Sequence, residues 1–87
     1  MSPSVLITGC SAGGAGEALA RVFKKNSYTV YATARDLSKI IHLKNEGIEI
    51  IALDILSTDS ITNAAAELSA LTGGKLDILI NNAGAGI

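Results

Sequence analysis

Four short apolar runs, separated by longer segments of helical periodicity, are the feature of this sequence that most restricts its fold. The runs cover residues 5–7, 29–34, 48–53 and 76–80. Runs of β-branched and aliphatic residues at this length are typical of strands that are covered on both faces. Strands that alternate with helices form a parallel sheet through right-handed crossovers. The sequence therefore predicts an α/β fold with the element order β-α-β-α-β-α-β.

The segments between the runs carry the signals of three helices. Asp36 is a good N-cap for a helix over residues 37–46, and Ser57 or Thr58 caps a later helix that ends at Gly73. Apolar residues recur at helical spacing and predict the side of each helix that packs against the sheet. They are Ala15, Ala18, Leu19, Val22 and Phe23 in the first helix, Leu37, Ile40 and Ile41 in the second, and Ile61, Ala64, Ala65, Leu68 and Leu71 in the third.

Charge and cysteine content exclude several classes of function. The 87 residues include 7 Lys+Arg and 8 Asp+Glu, so a polybasic nucleic-acid arm or an anionic-lipid patch is excluded as the organising feature. Cys10 is the single cysteine, which excludes an intramolecular disulfide and a cysteine zinc cluster, and we expect no metal site. The apolar run before Thr8 is too short for a signal peptide or a membrane span, so we expect a cytoplasmic protein.

Gly9, Gly14 and Gly16 lie between the first strand and the first helix. Glycine is favoured there because the chain turns tightly, approaches a pyrophosphate closely and packs the helix against the sheet. The amides and the dipole at the helix N-terminus then bind the phosphate charge. A nucleoside-triphosphate P-loop needs Lys and Ser or Thr after its last glycine, whereas Ala15 follows Gly14. The loop therefore predicts a dinucleotide-binding site.

Arg35 and Asp36, at the end of the second strand, bear on the choice of dinucleotide. A carboxylate at this place accepts from the adenosine ribose of NAD, whereas an arginine accommodates the 2′-phosphate of NADP. Asp36 lies 20 positions after Gly16, which is the NAD spacing, but it is better used as a helix cap. Arg35 directly follows the strand, and Ser11 in the glycine loop adds a hydroxyl donor. NADP is therefore favoured over NAD, and a solvated surface charge is the alternative interpretation of Arg35.

The order of these motifs resembles the short-chain dehydrogenase/reductase family over essentially the whole chain. The most specific element is Asn-Asn-Ala-Gly directly after the fourth strand, joined by Thr8-Gly9 in the glycine loop and Asp54 after the third strand. Four residues separate Gly9 from Gly14, where the family usually has three. With Tyr-Ala-Thr-Ala-Arg after it, this form is similar to the branch of fungal NADPH-dependent 1-acyldihydroxyacetone-phosphate reductases.

The resemblance implies that ten residues contact the cofactor. Those around the pyrophosphate and the adenosine ribose precede the first helix, and the others follow the second, third and fourth strands. They are Gly9, Ser11, Gly14 and Gly16 at the pyrophosphate and ribose; Arg35 at the 2′-phosphate; Asp54 with Ile55 at the adenine; and Asn81, Ala83 and Gly84 along the nicotinamide-side ribose.

The family's catalytic Tyr-x-x-x-Lys pair is not found in these 87 residues. Tyr28 is followed four positions later by Ala32, and Tyr31 by Arg35, so no catalytic residue is assigned. The resemblance implies the NADP(H)-binding portion of a reductase that transfers hydride between NADPH and a carbonyl or alcohol, and we expect the chain alone to be inactive. The alternative is a non-catalytic nucleotide-binding or interaction module formed by truncation.

The resemblance also implies the architecture and the partners. Residues 1–87 are expected to form one N-terminal dinucleotide-binding domain, the truncated first half of a three-layer Rossmann-type fold with strand order 3-2-1-4. The fourth strand would then be an edge, and its apolar residues favour association. Besides the dinucleotide, we therefore expect self-association or pairing with a chain that supplies the missing strands, and no nucleic acid or membrane span.

Overall fold

A computed structural model, which describes residues 3–10, 14–54 and 56–82, contains a parallel sheet with helices on its faces. The strand order is β3-β2-β1-β4, as in the first half of a Rossmann-type fold, and the predicted element order is confirmed. The elements are β1 (Ser4–Ile7), α1 (Ala15–Lys25), β2 (Thr29–Ala34), a 3₁₀ turn (Leu37–Lys39), α2 (Ile41–Lys44), β3 (Glu49–Ala52), α3 (Thr58–Thr72) and β4 (Ile78–Ile80).

Strand β1 occupies the centre of the sheet and pairs in parallel with β2 and β4. Val5 lies opposite Val30 on one side and Ile78 on the other. The chain leaves β1 toward β2 and β3, and later returns past β1 to β4. Because right-handed crossovers in opposite directions place helices on opposite faces, α1 and α2 cover one face and α3 the other. The point where the direction changes is where open α/β sheets bind their ligands.

The principal core lies between the sheet and the face covered by α1 and α2. Its aliphatic side chains come from alternate positions of the strands, together with residues before, within and after α2. The side chains with 1% exposure or less are Val5, Ile7, Ala20, Val30, Ala32, Ile40, Leu43 and Ile48.

Helix α1 is rotated relative to the prediction. Gly16 and Ala20 are buried, whereas Val22, predicted to pack against the sheet, is 56% exposed. Leu19 and Phe23, also predicted, are partly buried against the core. The side of the helix that contains Gly16 faces the sheet because no Cβ keeps it away. A count of apolar residues alone misses this, since glycine contributes no apolar side chain.

The single helix predicted over residues 37–46 is instead a 3₁₀ turn followed by the short helix α2. Asp36 does cap the turn, accepting from the Ser38 amide at 3.0 Å. Ile40 interrupts the helix with φ −125°, and its side chain is fully buried. Placing Ile40 in the core therefore turns the following residue outward, and Ile41 is 51% exposed rather than packed.

Helix α3 begins and ends where predicted, and Ile61, Ala64, Ala65 and Leu68 of its predicted apolar side face the sheet across a cleft, but the predicted burial of this side is wrong. The Ser57 hydroxyl accepts from the Ser60 amide, and Gly73 ends the helix with φ +67°. No residue of α3 is buried. An apolar cleft of about 320 Å³ separates part of the helix from the sheet. Its apolar lining includes Leu6, Leu53, Ile61, Leu68 and Leu79.

No helix in the described part of the chain is long and apolar enough to cross a membrane. The longest, α3, has 15 residues. A bilayer span takes about 20 predominantly apolar residues.

Thr33 provides a test of the packing on the α3 side of the sheet. Its hydroxyl is buried and has no hydrogen-bond partner among the described residues, and its side chain is 1% exposed. An unsatisfied buried hydroxyl costs about 1–3 kcal/mol. We expect Thr33→Val, which keeps the shape and removes the hydroxyl, to raise the free energy of unfolding by about 1 kcal/mol in urea titrations.

The control for Thr33→Val is Thr72→Val in α3. The Thr72 hydroxyl donates to the Leu68 carbonyl at 2.9 Å, so replacing it removes a satisfied group. We expect no stabilisation from this second change. A lower free energy of unfolding for Thr33→Val would contradict the assignment of an unsatisfied hydroxyl.

Candidate functional site

The glycine loop turns from the end of β1 toward the end of β2. Gly9 has φ +68°, in the left-handed region that favours glycine. The next residue, Cys10, donates its amide to the Thr33 carbonyl at 2.8 Å. The Cys10 thiol is 3% exposed and donates to the Ile7 carbonyl. The start of the loop is therefore fixed to both β1 and β2.

Gly16 determines how closely α1 approaches this loop. A Cβ added there would lie 2.8 Å from Asn82 Nδ2, 3.1 Å from Cys10 Sγ and 3.2 Å from Cys10 Cα. Real Cβ atoms tolerate such distances only if the neighbours move, and one of these neighbours is backbone. The glycine is therefore required for the close packing of the helix on the loop, which is the predicted role of the last glycine.

Gly14 is the N-cap residue of α1, and its backbone is extended. Among the described residues, no side chain forms a capping hydrogen bond at this N-terminus. Uncapped amides at the N-terminus of a helix, together with the positive end of its dipole, form a binding site for anions. The first turn of α1 can thus bind a phosphate group at the carboxyl edge of the sheet.

The residues after β4 are bound to the residues after β1. The Thr8 hydroxyl hydrogen-bonds Asn81 Oδ1 at 3.1 Å and accepts from the Asn82 amide at 3.0 Å. Asn82 Nδ2 donates to the Gly9 carbonyl at 3.2 Å. Asn81 therefore lies next to the start of the glycine loop. Thr8 and Asn82 were quoted in the motifs but not predicted as site residues, although they connect the two segments.

The end of β2 separates the two candidate residues for cofactor selection. Asp36 Oδ1 accepts from the amide of Ser38 at 3.0 Å and from its hydroxyl at 2.7 Å, and these bonds lower the pKa of the carboxyl group. Arg35 is exposed and takes part in no ion pair within residues 3–10, 14–54 and 56–82. The aspartate thus caps the turn, and the guanidinium faces solvent directly after the strand.

Asp54 lies at the end of β3, beside the end of β2. The Leu53 amide donates to the Ala34 carbonyl at 2.9 Å, which keeps the two strand ends together. Asp54 Oδ1 accepts from the Leu56 amide at 3.0 Å, and the Asp54 amide donates to the Ser60 hydroxyl. A carboxylate has about four acceptor positions, so this local bond leaves capacity for a donor such as an adenine amine.

Four predicted site residues lie outside the described part of the chain. The described ones, Gly9, Gly14, Gly16, Arg35, Asp54 and Asn81, all lie at or just after the carboxyl ends of the strands or at the N-terminus of α1. The four outside it are Ser11, Ile55, Ala83 and Gly84.

Neither tyrosine has the environment of a catalytic acid or base. Tyr31 is 4% exposed within β2, and burial raises the pKa of its phenol, as does the charge of Glu49. Tyr28 packs its ring edge-on against Phe23, with the ring centroids 4.9 Å apart. Both tyrosines therefore contribute to packing. Within the described residues there is also no group of three metal-ligating side chains.

Beside the glycine loop, four ionisable side chains form what we call the α1–α2 ion network: Glu17 and Arg21 of α1, His42 of α2, and Glu46. Glu17 accepts from Arg21 at 2.7 Å and hydrogen-bonds His42 at 2.5 Å, and Arg21 also forms two bonds of 2.9 Å with Glu46. The Glu17 side chain is only 7% exposed. The bonds with Arg21 lower the pKa of the Glu46 carboxyl group.

Comparisons with known proteins agree with this geometry. The sequence profile of the short chain dehydrogenase family matches residues 3–87. A short-chain dehydrogenase/reductase of Pestalotiopsis microspora is 56% identical over 81 residues, which are 93% of this chain and 28% of that protein. The NADPH-dependent 1-acyldihydroxyacetone phosphate reductase of Schizosaccharomyces pombe is 44% identical over 81 residues, 93% of this chain and 27% of that protein.

The fold is similar to that of solved short-chain dehydrogenases. The structure of ElxO with NADP bound matches with a TM-score of 0.83 and 31% identity, over 100% of this chain and 37% of that one. A short-chain dehydrogenase from Streptomyces avermitilis matches with a TM-score of 0.78 and 33% identity, over 97% of this chain and 31% of that one. This chain thus spans less than a third of the two curated relatives.

Gly16→Ala tests the packing between α1 and the glycine loop. The added methyl group would collide with Cys10 and Asn82, so the loop must move away from the helix. We expect the change to lower the free energy of unfolding by about 1–3 kcal/mol, as overpacking does. We also expect weaker nucleotide binding, because the loop and the first turn of α1 would no longer be held together. Urea unfolding and calorimetric titration measure the two effects.

Gly73→Ala is the matched control at the end of α3. No atom lies within 4 Å of the added Cβ, and the cost comes from φ +67° alone, about 1–2 kcal/mol. We expect Gly73→Ala to lose stability but retain nucleotide affinity. Equal losses of affinity in the two variants would contradict a specific role for Gly16.

Proposed function

Because the chain belongs to the short chain dehydrogenase family, we propose that residues 1–87 form the N-terminal NADP(H)-binding portion of a reductase. The observation that carries the proposal is the different roles of the two adjacent side chains at the end of β2. There Asp36 is committed to capping the turn, and exposed Arg35 follows the strand to which the glycine loop is bound. An NADPH-dependent relative and the NADP-bound ElxO structure support the same cofactor.

The proposal assigns each part of the site to one part of the cofactor. The pyrophosphate and the adenosine ribose would contact Gly9, Ser11, Gly14 and Gly16, with the N-terminal amides of α1 as donors. The Arg35 guanidinium would bind the 2′-phosphate, whose geometry it matches. The other assigned contacts are Asp54 and Ile55 at the adenine, and Asn81, Ala83 and Gly84 along the nicotinamide-side ribose.

These residues fit the cofactor on structural grounds. A Cβ at Gly16 would push the helix away from the loop, and no described side chain caps the first-turn amides that follow Gly14. NADPH, when bound, supplies the hydride for reduction of a carbonyl group. The contribution of this chain is to bind and orient the dinucleotide, since neither Tyr28 nor Tyr31 precedes a lysine by four positions. We propose that the Tyr-x-x-x-Lys pair lies in sequence beyond these residues. We also propose that the protein is located in the cytoplasm.

The second candidate is a non-catalytic nucleotide-binding module. It is favoured by the packing of both tyrosines, which leaves the described residues without a proton donor of the family's type. The two candidates differ in turnover: a module binds NADPH but oxidises none of it with any carbonyl compound. A reductase portion gains turnover when the remainder of the protein is supplied.

Calorimetric titration with NADPH and NADH tests the cofactor assignment. We expect NADPH to bind at least tenfold more tightly than NADH, because a bidentate arginine–phosphate contact is worth about 1.5–3 kcal/mol. In Arg35→Ala we expect this preference to disappear while NADH affinity is kept.

Lys39→Ala is the matched control for Arg35→Ala. Lys39 is another exposed cation in the 3₁₀ turn that follows Arg35, so its loss tests whether the site responds to any nearby positive charge. We expect the NADPH preference to persist. Equal affinity of the wild-type chain for both nucleotides would contradict the assignment to NADP.

We also propose that the chain associates with a second chain through the free side of β4 and the apolar cleft beneath α3. Within the described residues, β4 pairs only with β1. The three residues of β4 are all apolar, and Leu79 is 61% exposed. An edge strand without charge or proline, next to an apolar cleft, is a template for association. We propose that the partner is a second copy of this chain, which presents the same apolar edge.

Sedimentation velocity over a range of concentrations tests the association. We expect the wild-type chain to form dimers or larger species, and we expect Leu79→Lys to shift the distribution toward the 8.9 kDa monomer. Leu56→Lys is the control, because Leu56 is 79% exposed and lies away from β4 in the sequence. A monodisperse wild-type monomer would contradict the proposal.

A further inference from the structure

Glu17 is an unusual residue for the place it occupies. It follows Gly16 directly, in the first turn of α1, where the proposed function places the pyrophosphate. Its side chain is only 7% exposed. A carboxylate in this position is attracted by the helix dipole, and it therefore competes with any other anion at the same helix end. An uncompensated charge on Glu17 would also repel the phosphates directly.

The α1–α2 ion network holds this carboxylate in place, and the guanidinium of Arg21 opposes its charge. Arg21 and His42 each bind one of its two oxygens, at 2.7 and 2.5 Å. Arg21 is itself fixed by two bonds to Glu46, so its guanidinium is oriented rather than free. Both oxygens of Glu17 are therefore engaged on the α2 side of the helix.

The field of Glu17 reaches the glycine loop. The pKa of the Cys10 thiol is raised by burial and further by the negative charge of Glu17, although a hydrogen bond with Thr33 opposes the shift. Cys10 is part of the loop whose packing against Gly16 fixes the start of the site. The groups that bind Glu17 therefore affect how tightly this loop binds an anion.

We propose that His42 and Arg21 are positioning residues for the dinucleotide, which bind the two oxygens of Glu17 and so allow the N-terminus of α1 to accept the pyrophosphate. The inference rests on the proposed function, because it concerns the same nucleotide site. None of these side chains needs to touch the nucleotide. Their effect is transmitted through the charge that Glu17 presents to the loop, and the effect is larger for NADPH, which carries the additional 2′-phosphate, than for NADH.

A double-mutant cycle between His42 and Glu17 tests this inference by calorimetric titration with NADPH. We expect His42→Ala to weaken binding on the order of fivefold, because Glu17 loses the side chain that binds its Oε2 atom. Glu17→Gln, which removes the charge, is expected to bind NADPH at least as tightly as the wild-type chain. In the Glu17→Gln background, His42→Ala is expected to change the affinity less than twofold, which is the signature of an effect exerted through the carboxylate.

Two control variants and one conservative variant accompany the cycle. Glu67→Gln removes an exposed carboxylate of α3, on the opposite face of the sheet, and Ile41→Ala truncates the exposed neighbour of His42. We expect NADPH affinity to remain unchanged in both. His42→Gln retains an N–H donor for Glu17 and is expected to recover at least half of the lost affinity. Thermal unfolding of every variant establishes that the measured chains are folded.

The possible results distinguish a failure of this inference from a failure of the proposed function. Tight NADPH binding by the wild-type chain, together with losses in the cycle that simply add, would overturn the positioning role and leave the function intact. Weaker binding by Glu17→Gln would likewise overturn it. No binding by the folded wild-type chain would overturn the proposed function and this inference together.

Discussion

The close approach of α1 to the residues after β1, which the missing side chain of Gly16 permits, is the constraint on which the rest of the structure depends. It brings the helix within contact distance of Cys10, and it brings Asn82 from beyond β4 to the same point. Three segments that are distant in sequence therefore meet where the sheet changes direction. The rotation of α1 follows as well: with Gly16 facing the loop, Ala20 enters the core and Glu17 is directed at α2.

Much of the fold is predictable from the sequence because its signals are local. Asp36, Ser57 and Gly73 act through hydrogen bonds or dihedral angles within a few residues, and each ends or begins its element as predicted. The strands are recognisable for the same reason, since parallel strands covered on both faces need apolar residues in succession. Composition and periodicity do not determine the strand order, which is instead implied by the family resemblance.

The remaining features depend on contacts that a local pattern does not contain. The orientation of Val22 and Ile41 toward solvent follows from where Gly16 and Ile40 are placed in the core. The pairing of Glu17 with His42 joins residues that are 25 positions apart, and no periodicity indicates it. Helix α3 has the composition of a packed helix, but burial of its apolar side requires a surface that the described residues supply only in part.

The end of β2 shows why the spacing of a motif alone does not identify a cofactor. Asp36 has the sequence separation of an NAD-binding carboxylate, but a carboxyl group that accepts two bonds from Ser38 is oriented by the turn it caps. If Asp36 turned to bind a ribose it would lose those bonds, whereas the exposed Arg35 forms no ion pair within the described residues. The proposed preference for NADP therefore rests on which of two adjacent side chains already forms hydrogen bonds within the fold. The same reasoning applies to Glu17: in our proposal its carboxylate is compatible with bound phosphates because Arg21 and His42 bind its two oxygens.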